Sequence, residues 1–101
     1  MRKEFGQIEG DVSVNDAVAL YGLCAGDIKV QQGGVLHLYG MCAGDVKVNE
    51  GASAIIYGMC TGDVVNAGGQ LEVRGMVIGS VQKLGGMTTI LPGAKIGLPE
   101  E

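Results

Sequence analysis

Tyr39-Gly40-Met41-Cys42-Ala43-Gly44-Asp45-Val46 returns 18 residues later as Tyr57-Gly58-Met59-Cys60-Thr61-Gly62-Asp63-Val64. One period earlier it reads Tyr21-Gly22-Leu23-Cys24-Ala25-Gly26-Asp27-Ile28. Looser copies flank these: Phe5-Gly6-Gln7-Ile8-Glu9-Gly10-Asp11-Val12 before, and Arg74-Gly75-Met76-Val77-Ile78-Gly79-Ser80-Val81 after. A fixed short period over nearly the whole chain describes one small unit stacked on itself. The unit is too short for a helix pair or a propeller blade, which take roughly 34 to 45 residues.

Within each copy the apolar residues alternate with polar or small ones. Cys42, Gly44, Val46 and Val48 share one parity; Ala43, Asp45, Lys47 and Asn49 share the other. After the break at Asn49-Glu50-Gly51 the alternation resumes with Ala52, Ala54, Ile56, Gly58 and Cys60. A period of two is the strand period. Two alternating runs joined by a glycine bend, every 17 or 18 residues, describe one coil of a parallel β-solenoid. The expected fold is therefore all-β: a single-stranded parallel β-helix of about five to six coils, one domain over residues 1–101 with a repeat core of about 6–97. At the usual strand spacing of about 4.8 Å this makes a prism roughly 25 to 30 Å long.

Glycine supplies the corners, because a bend needs positive φ or close backbone approach. Gly33-Gly34, Gly68-Gly69 and Gly85-Gly86 mark one corner; Gly10, Gly26, Gly44, Gly62 and Gly79 mark another. The fourth coil is one residue short and reads as lacking the counterpart of Lys47. Charged or Pro-bearing ends, Met1 to Glu4 and Leu98 to Glu101, read as protection of the terminal strand edges.

The formal net charge is −4 and there is no basic stripe, which disfavours nucleic acid and anionic membrane as partners. No apolar run has the length of a signal peptide or membrane span, so a cytoplasmic protein is expected. Three sets of stacked residues carry the candidate chemistry. Cys24, Cys42 and Cys60 share a repeat position with Ile8 and Val77. That column reads as apolar core, with cysteine as a small buried hydrophobe. The other reading, a soft-metal site, conflicts with the convergent geometry that zinc requires. Asp11, Asp27, Asp45 and Asp63, followed by Ser80, sit at corners, where such side chains bond nearby backbone N–H groups. A calcium ladder is the alternative, but the calcium solenoids' G-G-x-G-x-D nonapeptide is absent.

The third set lies outside by parity. Tyr21, Tyr39 and Tyr57 form one outward column, ended by Arg74, which can stack on Tyr57. Leu23, Met41, Met59 and Met76 form a second. Together they read as an apolar stripe along one side. Either like side chains stack to stabilise the sheet, or the stripe is a face for another protein or a second copy. Catalysis finds no support. His37 is the only histidine, its repeat equivalents are Ala19, Ile55 and Glu72, and no phosphate loop, nucleophile–base pair, cofactor motif or metal pattern appears.

The Gly-x-apolar-x-Gly-Asp-Val unit at Gly40 to Val46, the corner Val48 to Gly51 and the ending Pro92-Gly93-Ala94-Lys95-Ile96-Gly97 resemble the bactofilins, bacterial polymer-forming β-helix proteins. The resemblance runs from about Gly6 to Gly97. It implies a right-handed, roughly triangular β-helix without cofactor, often assembling end to end without nucleotide. Two functions follow as expectations. One is a non-enzymatic, self-associating scaffold, working as a lateral dimer or an end-to-end polymer. The other is a compact binding module, such as a toxin-immunity or inhibitor protein, using the Tyr/Met side. Charges near both termini favour the lateral route over unlimited end stacking.

Overall fold

Each coil must keep one parity of its residues inside while the chain turns back on itself, so the strands are short and the bends frequent. The computed structural model describes residues 2–97 and contains no helix among them. The first coil comprises β1 (Arg2–Glu4), β2 (Gln7–Ile8) and β3 (Val12–Val14). The second comprises β4 (Ala17–Leu20), β5 (Leu23–Cys24) and β6 (Ile28–Val30), and the third β7 (Val35–Leu38), β8 (Met41–Cys42) and β9 (Val46–Val48). The fourth opens with β10 (Ser53–Ile56) and β11 (Met59–Cys60). It then enters β12 (Val64–Val73), which rounds a corner and starts the fifth coil. After β13 (Met76–Val77), β14 (Val81–Ile90) does the same for the sixth, which continues to β15 (Lys95–Ile96).

All strand pairings between described residues are parallel and link successive coils. One side stacks β1, β4, β7, β10 and the second halves of β12 and β14. A second stacks β3, β6, β9 and the first halves of β12 and β14. The six-stranded sheet of β2, β5, β8, β11, β13 and β15 closes the third. The protein is thus a parallel β-solenoid of five three-sided coils and two sides of a sixth, as the repeat predicts.

The core is a set of vertical columns. Leu20, Leu38, Ile56 and Val73 stack in register, as do Val14, Val30 and Val48. All seven are buried. Glu4 continues the first column into β1, opposite Leu20, and is half-buried there. Its neighbour Lys3 is exposed. The expected protective role of Leu98 to Glu101 and Met1 falls outside the described residues.

One expectation about the corners is corrected, and another holds. Val65, not a gap, pairs with Lys47, so the shorter fourth coil lost its residue at the corner and not in the strand. Gly68-Gly69 and Gly85-Gly86 turn that corner inside the continuous strands β12 and β14, where the register shifts. Gly68 and Gly86 take the left-handed φ values of 132° and 70°, which a side chain resists. Asn66 replaces the inward valine of the earlier coils and is fully buried. Its Oδ1 accepts from the N–H groups of Gly68 (3.2 Å) and Gly69 (2.9 Å). Its Nδ2 donates to Met87 O (2.9 Å) and Thr88 Oγ1 (3.0 Å). One side chain thus satisfies the tightened corner and ties it to the next coil.

Candidate functional site

The expected site residues lie beside a bend repeated in every coil. On entering the second to fifth coils one carbonyl accepts two successive N–H groups at this bend; in the sixth, Leu91 alone donates, because Pro92 has no N–H. Leu20 O receives Tyr39 N–H (2.8 Å) and Gly40 N–H (2.9 Å), and Leu38 O receives those of Tyr57 and Gly58 at 2.8 Å each. The glycine is required. A Cβ built on Gly40 or Gly58 would collide with the glycine carbonyl of the coil before. The bend separates the tyrosines, at the rim of the nine-stranded sheet, from the Leu/Met column on the six-stranded sheet.

Parity survives this bend. Tyr21, Tyr39 and Tyr57 are exposed, Leu23, Met41, Met59 and Met76 are half-buried, and Cys24, Cys42 and Cys60 are buried. The single flat stripe does not. The tyrosine rings meet the nine-stranded sheet's outer surface, where His37 makes edge contacts to Tyr39 and Tyr57, with centroids 6.3 and 5.8 Å apart. Sequence parity carries no information about that rotation, because it records in against out and not which side of the prism.

The tyrosines form a stacked ladder. Tyr21 and Tyr39 have centroids 4.7 Å apart at 4°, and Tyr39 and Tyr57 4.6 Å apart at 3°. Phe5 extends it at 5.0 Å and 11°, a member the reading of tyrosines alone missed. Its place before Gly6 in the first repeat copy was the available signal. Arg74 closes the other end, its guanidinium 5.6 Å from the Tyr57 centroid and hydrogen-bonded to the Glu72 carboxylate. That bond holds the Arg74 guanidinium above its ordinary range. Desolvation within the stack, followed by the neighbouring Tyr57 and Tyr21, raises the Tyr39 phenol, so it stays neutral near pH 7.

The cysteine column is core. All three thiols are free and completely buried, in register with Ile8 and Val77. Cys42 and Cys60 point their sulfurs at the carbonyls of Gly26 (3.5 Å) and Gly44 (3.3 Å). Burial raises the Cys24 thiol. The neighbouring Cys60 thiol, with burial second, raises that of Cys42. Among the described residues no group of three His, Cys, Asp or Glu is placed to hold a metal ion.

The aspartates make hydrogen bonds, but between coils and not within a local turn. Asp11, Asp27 and Asp45 each offer Oδ1 to the N–H of the next aspartate, at 3.0, 2.8 and 2.8 Å. Asp63 Oδ1 receives Ser80 N–H at 2.9 Å and its hydroxyl at 3.3 Å.

The ends supply the other candidate surface. β14 pairs with β12 on one side, and no described strand covers the other. Leu84 is 70% exposed, Met87 64% and Ile90 41%. At the opposite end the core opens in a cavity lined by Glu4, Ile8, Val12, Val14, Val18 and Leu20, among others. Among the described residues no helix is long and apolar enough to cross a membrane. Compared with known proteins, the chain matches no family model, no curated protein and no solved structure.

Proposed function

We propose that this chain is a non-enzymatic cytoplasmic scaffold that self-associates through the ends of its solenoid, as its resemblance to the bactofilins implies. The observation that carries the reading is the uncovered ten-residue strand β14 with Leu84, Met87 and Ile90 exposed. A strand edge with unpaired backbone groups and apolar side chains is a template for another strand. The core mouth at β1 to β3 offers the same chemistry at the opposite end. This favours the ends over the lateral route that the termini's charges suggested, since the mouth is lined mainly by apolar side chains, with Glu4 and Asp11 among them.

Light scattering after size exclusion, with negative-stain electron microscopy, tests it. The wild-type protein should form rods or oligomers that lengthen with concentration. Leu84→Lys combined with Met87→Lys, both on the exposed terminal strand, should return it to short particles with an unchanged β spectrum. A wild-type protein that stays monomeric at millimolar concentration overturns the reading and leaves the compact binding module.

A further inference from the structure

The aromatic ladder is a row of oxidisable side chains held at one spacing. Each tyrosine is pinned at its base: the N–H groups of Tyr21, Tyr39 and Tyr57 bond to the carbonyls of Glu4, Leu20 and Leu38 in the coil before, at 2.7, 2.8 and 2.8 Å. The rings of Tyr21 and Tyr39 lie 4.7 Å apart at 4°, and those of Tyr39 and Tyr57 4.6 Å apart at 3°. After desolvation, the Tyr57 and Tyr21 phenols are what raise that of Tyr39, so the hydroxyls share one edge of the stack. The ring carbons ortho to successive hydroxyls therefore face each other across about one strand spacing, ~4.8 Å. All three tyrosines are open to solvent, 41%, 41% and 36% exposed, which leaves the outer ring edges room to pivot. Phe5 ends the ladder on one side and Arg74 on the other, and neither carries a phenol. Both neighbouring pairs of phenols contain Tyr39.

We propose that Tyr39 is the centre of an oxidative cross-linking site. A one-electron oxidant, of the class of a haem peroxidase supplied with hydrogen peroxide, joins it to Tyr21 or Tyr57 as dityrosine and staples two successive coils together. Each phenol gives up one electron and one proton. The two phenoxyl radicals form one bond between their ortho carbons, and the hydrogens displaced from those carbons restore the two hydroxyls. The pair thus loses two electrons and two protons, which the peroxide accepts as it becomes two waters.

The surroundings favour this outcome over its competitors. Cys24, Cys42 and Cys60 are free but completely buried, so the oxidant meets the phenols and not the thiols. Coupling between chains competes only in concentrated solution, because neighbouring groups on one chain meet at an effective concentration on the order of millimolar. The ladder of one chain suffices, so the site is independent of end-to-end association.

The test treats the wild-type protein, at about one micromolar to suppress coupling between chains, with a haem peroxidase and hydrogen peroxide. The monomer should lose the mass of two hydrogens and gain dityrosine fluorescence. Peptide mapping should find Tyr39 linked to Tyr21 or to Tyr57. Sulfoxide at the exposed Met87 adds oxygen and does not imitate this loss. Tyr39→Phe keeps the ring and the stack but leaves Tyr21 and Tyr57 two strand spacings apart, roughly 9.6 Å, with a ring between them. It should lower the intrachain yield at least about tenfold. Tyr21→Phe and Tyr57→Phe should each retain the other pair. Wild-type yield in Tyr39→Phe would overturn the proposal, as would dityrosine found only between chains. So would no dityrosine while free tyrosine added to the same mixture is oxidised.

Discussion

Cys42 shows what a repeat reveals about one residue. Its column already contains isoleucine and valine, so burial was legible, and the structure places its sulfur against a glycine carbonyl in the apolar core. Cys42→Val should therefore stay within about 1 kcal/mol of wild type. Cys42→Ser should lose roughly 1 to 3 kcal/mol, because it buries a hydroxyl. Urea unfolding measures both. The thiols add a pH signature. Burial raises Cys24 in the folded state, so its contribution is complete below the ordinary thiol pKa and is lost as pH rises through the folded value. Wild-type stability should fall at alkaline pH, and less so in Cys24→Val. Asn66 was not legible in the same way. The short fourth coil announced a missing residue, and the repeat placed it wrongly, at the counterpart of Lys47. Only the pairing of Val65 with Lys47 moves the gap to the corner and explains why an amide replaces valine.

At the scale of the element, the bend before each strand of the six-stranded sheet is where local geometry rules. A Cβ on Gly58 would overlap the Gly40 carbonyl oxygen, whereas Gly6, at the same repeat position in the first coil, has nothing within 4 Å. Gly58→Ala should cost at least about 3 kcal/mol, since the backbone of two coils must separate. Gly6→Ala should be near neutral, within about 0.5 kcal/mol. Thermal melts of the pair measure the difference, and equal losses would mean that the bend's own conformation, not coil-to-coil contact, demands glycine. The same bend limited the sequence reading of the candidate face. Alternation assigned the tyrosines and methionines correctly to the outside, yet the ladder's contact with His37 comes from a turn of the chain that alternation does not encode.

For the whole molecule the coil is the unit of stability, because each coil touches chiefly its neighbours. Removing residues 40–57 joins Tyr39 to Gly58, restoring the Tyr-Gly-Met-Cys sequence and every column in register. The shortened chain should keep its β-sheet circular dichroism and melt roughly 5 to 10 °C lower. A disordered product would mean that the coils are not interchangeable. The number of coils and their stacking were legible because each column repeats its chemistry. The exposed terminal strand was less so, since an apolar residue in the last coil reads as core until its missing neighbour is seen. The aspartate column has one more consequence. Each carboxylate receives its proton donor from the coil after it, and the thiols of Cys42 and Cys60 likewise point back to the coil before. On a ribosome the chain emerges in that same order, so these donors find their acceptors already in place, whereas the N–H groups of Ile28 and Val46 wait for the carbonyls of Asp45 and Asp63 in the coil that follows. At the aspartate corner, each finished turn presents the carboxylate on which the next one settles.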